Sequence, residues 1–163
     1  MSSQSDTGKS RSSDAVVENS KEFVTFTIAG QLFGIPVLQI QDVLSSYRIT
    51  RIPLAPSEIT GSLNLRGRVV TAIDLRLRLG LPPRPADADS MSIVAENGGE
   101  LYSLMVDSVG EVLALPHNAY ERNPPTLDAM FRAFSDGIYR LDGQLLVVLD
   151  VNRLLDYEHA DVA

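Results

Sequence analysis

The feature that most constrains how this chain can fold is that its pattern occurs twice. Phe33-Gly34-Ile35-Pro36-Val37 and Asp42-Val43-Leu44 lie over Tyr102-Ser103-Leu104-Met105-Val106 and Glu111-Val112-Leu113 at an offset of 69 residues. Gly61, Leu65, Gly67, Asp74 and Leu79 lie over Gly137, Leu141, Gly143, Asp150 and Leu155 at an offset of 76, so the second half carries about seven extra residues in its middle. Apolar matches alone arise readily by chance. Two glycines, an Asp and an acid–Val–Leu triplet in matching order rarely do. Each unit, at about 60 to 70 residues, is too small to hold a large core alone, so the two are expected to stabilise each other by packing.

Inside each unit the pattern is that of short strands. Phe23 to Ile28 alternates, with Val24, Phe26 and Ile28 on one face, and Leu32 to Ile35 completes a hairpin across Ala29-Gly30-Gln31. Gly61–Leu65 and Arg68–Ile73 flank Arg66-Gly67 as a second hairpin, and Tyr47 to Ile52 reads as extended. The second unit repeats this with Ser92–Ala95 and Leu101–Val106, then Gly137–Leu141 and Gln144–Leu149. Val37, Ile40, Val43 and Leu44 recur at helical spacing, as do Val106, Val109, Val112 and Leu113, which predicts a short helix in each half. Another short helix is expected near Leu127–Phe134, and Asp74 and Asp150 suit helix N-caps. Short strands with this density of turns favour small barrels over an open sheet. The body is placed at residues 22–155, with repeat units 22–80 and 91–155, a Pro-rich linker over 81–90 and polar tails at 1–21 and 156–163. The Ser-rich N-terminal tail reads as disordered.

Composition narrows the function more by exclusion than by assertion. The chain has no cysteine, which removes disulfides, thiol chemistry and thiolate metal sites. It has no apolar run long enough to span or enter a membrane and no stretch resembling a secretory signal, so a cytoplasmic location is expected. The net charge of −7 disfavours nonspecific nucleic-acid binding. His117 and His159 have no second histidine at ligand spacing, so no metal or other cofactor is expected. Nucleophile-elbow and phosphate-cradle motifs are missing, and Asp74 and Asp150 are better explained as caps than as paired catalytic carboxylates. The expected class is a non-enzymatic adaptor. A small hydrolase using Asp74 or Asp150 is the rival of a different class.

If repeated positions are scaffold, positions where the halves diverge are candidates for function. From Glu22 to Ser90 there are seven Arg against six acids. From Met91 to Leu155 there are four Arg against nine acids. The sharpest divergence is at a hairpin tip. Asp142-Gly143 suits a type I′ turn, because Asp tolerates positive φ. Arg66-Gly67 in the first half gains nothing from that geometry, although a turn with positive φ only at Gly67 would accept it. The Arg66 guanidinium is expected to stand out at the tip. Asn64, polar inside an apolar strand, faces Arg140 in the repeat, and a hydrogen bond into the adjacent loop is the simpler account of it. Asp42 and its counterpart Glu111 either solvate a surface or pair with a partner's base.

Taken in order, these residues resemble the CheW-like domain family. The match opens with Glu22-Phe23 through Ile28, Phe33-Gly34-Ile35 and Val37 to Val43. It continues through Thr50-Arg51-Ile52-Pro53, Gly61-Ser62-Leu63-Asn64-Leu65-Arg66-Gly67 and Ile73-Asp74-Leu75-Arg76. It closes on Val106-Asp107-Ser108-Val109 and Asp142-Gly143 through Leu149-Asp150. The family often has Glu at the place of Asp42 and Gly at the place of Ser103. The resemblance implies a mainly β fold of two small, five-stranded, SH3-like β-barrel lobes with short helices. It implies an adaptor in chemotaxis signal transduction, joining the tips of methyl-accepting chemoreceptors to the histidine kinase CheA. With no kinase motif before Ala163, the free adaptor is expected rather than the related kinase-fused domain. Coupling in a non-flagellar chemosensory-type pathway is the alternative. The resemblance also marks Ile40, Asp42, Gly61, Arg66 and Val112 as partner-binding positions, and Asn64 joins them from the comparison of the halves.

Overall fold

The computed structural model describes residues 19–45, 50, 53–85 and 88–156. Among these residues eleven strands run in chain order: β1 (Ser20–Ile28), β2 (Gln31–Pro36), β3 (Ile40–Leu44), β4 (Ile59–Leu65), β5 (Arg68–Asp74), β6 (Met91–Asn97), β7 (Glu100–Val106), β8 (Ser108–Pro116), β9 (Tyr120–Arg122), β10 (Gly137–Leu141) and β11 (Gln144–Val148). Three short helices accompany them among the described residues: α1 (Leu75–Arg78), α2 (Ala129–Ala133) and α3 (Val151–Leu154). Asp74 and Asp150 do cap α1 and α3, accepting hydrogen bonds from Arg76 N and from Asn152 N and Arg153 N.

The strands form two sheets, ordered β3-β6-β7-β5-β4 and β8-β1-β2-β11-β10-β9. Both close. In the first, the chain leaving β3 returns at Thr50, which exchanges two 2.7 Å backbone hydrogen bonds with Ser62 on the outer strand β4. In the second, β8 passes through a 3-10 turn (His117–Ala119) into β9, which pairs with β10. Counting β8 and β9 as one bent strand, each barrel has five. Neither barrel belongs to one half of the sequence. The opening hairpin of each repeat is exchanged: β1–β2 sits in the barrel built from β8–β11, and β6–β7 sits in the barrel built from β3–β5. The crossing is made by parallel pairs, β2 with β11 and β5 with β7.

Strand periodicity explains how three cores arise from these elements. Along β1, Val24, Phe26 and Ile28 point one way and Phe23 the other. Along β6, Ile93 and Ala95 oppose Val94. One face of each strand fills its own barrel, with Leu63, Val70, Ala72, Val94 and Leu101 in the first and Phe23, Tyr139 and Leu146 in the second. The other face meets the opposite barrel in a shared core of 19 buried residues, which include Phe26, Phe33, Ile35, Ile73, Leu104, Ile138 and Leu154. Because the shared core is the largest, neither barrel buries most of its apolar surface without its partner. α2 lies in the longer middle of the second half and sends Phe131 into this core against Phe33, with centroids 5.2 Å apart.

The two helices expected over Val37–Leu44 and Val106–Leu113 are not there. Val37–Gln39 is a single 3-10 turn, and β3 and β8 are strands. The cause is a β-bulge at the same repeat position in each. Ile40 and Asp42 face the adjacent pair Ala95 and Val94, and Val109 and Val112 face Phe26 and Val24. One extra residue turns the strand's two-residue spacing into three, which imitates a helix. Of the extended stretch expected at Tyr47–Ile52, only Thr50 lies within the described residues.

Candidate functional site

The surface where the two halves diverge is built around the β4–β5 tip. Leu65 and Arg68 pair, leaving a two-residue loop. Arg66 has φ +52° and Gly67 φ +83°, so both loop residues are left-handed, the signature of type I′. The turn that would accept Arg66 most easily, with positive φ at Gly67 alone, is not the one formed. At the matching tip of the second barrel, positive φ is confined to Gly143, and Asp142 does not take it up. The residue best suited to the turn therefore does not decide which loop is type I′.

Asn64 holds the first tip closed: its Oδ1 accepts the Gly67 N–H at 2.9 Å. The Arg66 side chain remains 76% exposed, yet it is not free at the tip, because its guanidinium meets Asp42 Oδ2 at 3.0 Å. Asp42 reaches it from β3, a strand on the opposite edge of the sheet, while its Oδ1 accepts the Val43 N–H. The pair therefore ties together the two edges that close the barrel. Val69, across from Asn64, and Val43, beside Asp42, add exposed apolar surface.

The remaining candidates separate. Ile40 is half-buried and packs on the shared core. Gly61 is buried in β4, where the register with β5 shifts. Val112 is on the other barrel, exposed on β8 opposite Val24. A groove of about 290 Å³ runs beside it, lined by Ser20, Lys21, Glu22, Pro36, Val37, Leu38 and Ala114. It joins the second barrel to the 3-10 turn that leads into β3. Leu38 was hidden in the sequence by the helical reading, and in the structure it stands 94% exposed on this groove.

A second cluster also escaped notice in the sequence. Asp107, between β7 and β8, receives a two-pronged bond from Arg76 at 3.0 and 2.7 Å, the Arg84 Nε at 3.0 Å and the Ala29 N–H at 2.8 Å. It thus joins α1, the linker and the β1–β2 turn at the crossing between barrels. These donors, Arg76 foremost, hold its carboxyl down to about 2, against the opposing effect of burial. No local pattern could reveal it, because the donors come from segments 23 to 78 residues away. Among the described residues, no group of three or more His, Asp or Glu is placed to hold a metal ion, and no helix is long and apolar enough to cross a membrane.

Comparison with known proteins agrees with this architecture. The CheW-like domain model matches residues 22–159. Chemotaxis protein CheW of Klebsiella aerogenes is 30% identical over 138 residues, covering 85% of this chain and 83% of its own length. Protein PilI of Pseudomonas aeruginosa is 27% identical over 124 residues, covering 76% and 70%. The crystal structure of scaffolding protein TtCheW from Thermoanaerobacter tengcongensis superposes with a TM-score of 0.75 at 34% identity, covering 84% of this chain and 93% of that one. A matching domain over nearly the whole body, on the same mainly β scaffold, leaves one conclusion: this chain belongs to the CheW-like family of chemotaxis coupling proteins.

Proposed function

We propose that this chain is a non-enzymatic, cytoplasmic adaptor that couples chemoreceptor tips to the histidine kinase CheA. The observation that carries the reading is Arg66. A left-handed backbone costs a non-glycine residue roughly 1–2 kcal/mol, and an exposed ion pair such as Arg66–Asp42 returns about 0–1 kcal/mol. Local energetics therefore do not select arginine here, and a guanidinium held in an unfavourable conformation on a rigid tip points to an intermolecular role. Asp42 orients it, Asn64 fixes the turn, and Val43 and Val69 supply apolar surface around it. In this reading the tip and β3 dock the kinase, with Gly61 keeping the bulged strand in place. The groove beside Val112, Leu38 and Ile40 receives a receptor helix. Signal transfer is a bias between kinase states through differential contacts.

The test is reconstitution of kinase activity with CheA and receptor fragments, with and without this protein. Activation and co-sedimentation are expected with the wild type and lost with Arg66→Glu, whose melting temperature stays near that of the wild type. No change in kinase activity on adding the wild-type protein defeats the coupling reading. The PilI match supports a second reading, the same coupling role in a non-flagellar chemosensory-type array. The two are told apart by which kinase and receptors the protein activates.

A further inference from the structure

The end of the second barrel away from its hairpin tips is hollow. A cavity of about 240 Å³ there is lined by Lys21, Phe23, His117, Tyr120, Tyr139 and Val148. Three aromatic rings form its wall: Phe23 against Tyr139 with centroids 5.5 Å apart, and Tyr120 against Tyr139 at 5.4 Å. Tyr120 reaches this position only because residue 137 is glycine; a Cβ there would lie 2.2 Å from its ring carbon.

Two phenols supply the polar groups of the cavity. Tyr139 is 2% exposed overall, and its hydroxyl is not among the fully buried polar atoms, so it opens toward the cavity. Burial raises both phenols above their ordinary pKa, so they remain neutral donors. Strand parity puts Lys21 on the same face as Phe23, at the rim, and no described acid forms an ion pair with it. The nearby acids Asp136 and Asp150 are already engaged by Arg153. An apolar aromatic wall, two neutral phenol donors and a lysine at the rim with no ion pair among the described residues suit a ring or short aliphatic arm ending in a carboxylate.

We propose that this barrel end is a binding site for an aryl or alkyl carboxylate, the arm seated against Phe23, Tyr139 and Val148 and the carboxylate at the Tyr139 hydroxyl and Lys21. The carboxylate belongs either to a free small acid or to the C-terminus of a peptide. The site is separate from the Arg66 tip and shares Lys21 with the groove beside Val112, whereas Tyr139 lines the cavity and not that groove. It does not depend on the coupling role.

The chain has five tyrosines and no tryptophan, so tyrosine absorbance and fluorescence report on the site directly. The full-length protein is titrated with 3-phenylpropionate, with 3-phenylpropionamide, and with the dipeptide N-acetyl-Gly-Phe as free acid and as amide. The free acids are expected to give a saturable signal and the amides to bind about tenfold more weakly, the effect of losing one charge-assisted contact. Tyr139→Phe keeps the ring and Lys21→Met lies at the surface, so both are expected to melt like the wild type while binding the acids about tenfold more weakly. Tighter binding of the dipeptide acid than of 3-phenylpropionate identifies a peptide C-terminus, and the reverse order identifies a small acid. No saturable signal up to about 10 mM, amides binding as well as acids, or Tyr139→Phe binding unchanged overturns the proposal.

Discussion

The two barrels share a repeat, a cap, a bulge and a hairpin at each matching place, yet their tips carry opposite electrostatics. In the first barrel Asp42 and Arg66 pair across 3.0 Å. In the second, the counterparts are Glu111 and Asp142, both acids, and neither has an ion-pair partner among the described residues. Where the first barrel has Asn64 closing its own turn, the second has Arg140, whose Nε donates to Glu121 on β9 at 3.0 Å. The arginine of the second barrel is thus spent on tying β10 to β9, and that of the first is left at an exposed tip. The lesson is that duplication supplied two equivalent platforms and divergence specialised them. Features kept in both copies hold the barrels together, and features changed in one are where the surfaces differ.

That comparison assumes one rigid scaffold beneath both tips, which can be tested by removing its shared core. Phe33→Ala is expected to destabilise the whole protein by about 3–5 kcal/mol and to leave a single unfolding transition. Leu63→Ala, in the first barrel's own core, should also move one common transition, by about 2–3 kcal/mol. Denaturant melts followed by circular dichroism and tyrosine fluorescence decide it. Two separated transitions would break the comparison, because each tip would then belong to an independent body.

Next in size is the crossing held by Asp107. Its carboxyl lies at about 2 in the folded protein, below the ordinary carboxylate value. Its contribution is therefore fully present above about pH 4 and is lost as pH falls from there toward 2. Asp107→Asn should cost about 2 kcal/mol at neutral pH and flatten the stability profile across that acid window. A variant as acid-sensitive as the wild type between pH 4 and 2 would remove Asp107 from that account.

The tips themselves should differ in binding far more than in folding. Arg66→Glu is expected to weaken partner binding by about tenfold or more, as loss of a central arginine contact does, and Asp142→Arg on the second tip to leave it unchanged. Equal effects of the two in a co-sedimentation assay would mean the asymmetry carries no information about partners. The smallest effect sharpens the argument about strain. Arg66→Asn relieves the left-handed conformation and loses a weak pair, so stability should stay within about 0.5 kcal/mol of wild type while binding falls.

Much of the scaffold could be read from local pattern. The alternation in Phe23–Ile28, the Asp74 and Asp150 caps, the hairpins and the helix near Phe131 are all short-range features with a local cause. The bulges were not legible, since one extra residue in β3 and β8 copies helical spacing, and only the register with β6 and β1 exposes it. The handedness of Arg66 was also hidden, because residue preference points to Asp142 and not to Arg66. Of the candidate positions, Asp42, Asn64 and Arg66 converge at one tip. Ile40 packs on the shared core, and Val112 is on the other barrel. The hollow end formed by Tyr120, Gly137 and Tyr139 gave no local signal, because its wall also takes Phe23 from more than a hundred residues earlier in the chain.

The sequence by itself determined the duplication, the strand-rich character of each half, the capping acids and the place where the halves diverge. These follow from periodicity, turn chemistry and spacing, which act over a few residues. Tertiary structure alone decided that the opening hairpins are exchanged, that the largest core lies between the barrels, and that Asp42 meets Arg66. The physical reason is burial. Exchanged strands such as β1 and β6 bury apolar side chains on both faces, so a half folded alone would leave one face in water. Only the exchanged arrangement covers both, and the charges follow where that packing carries them.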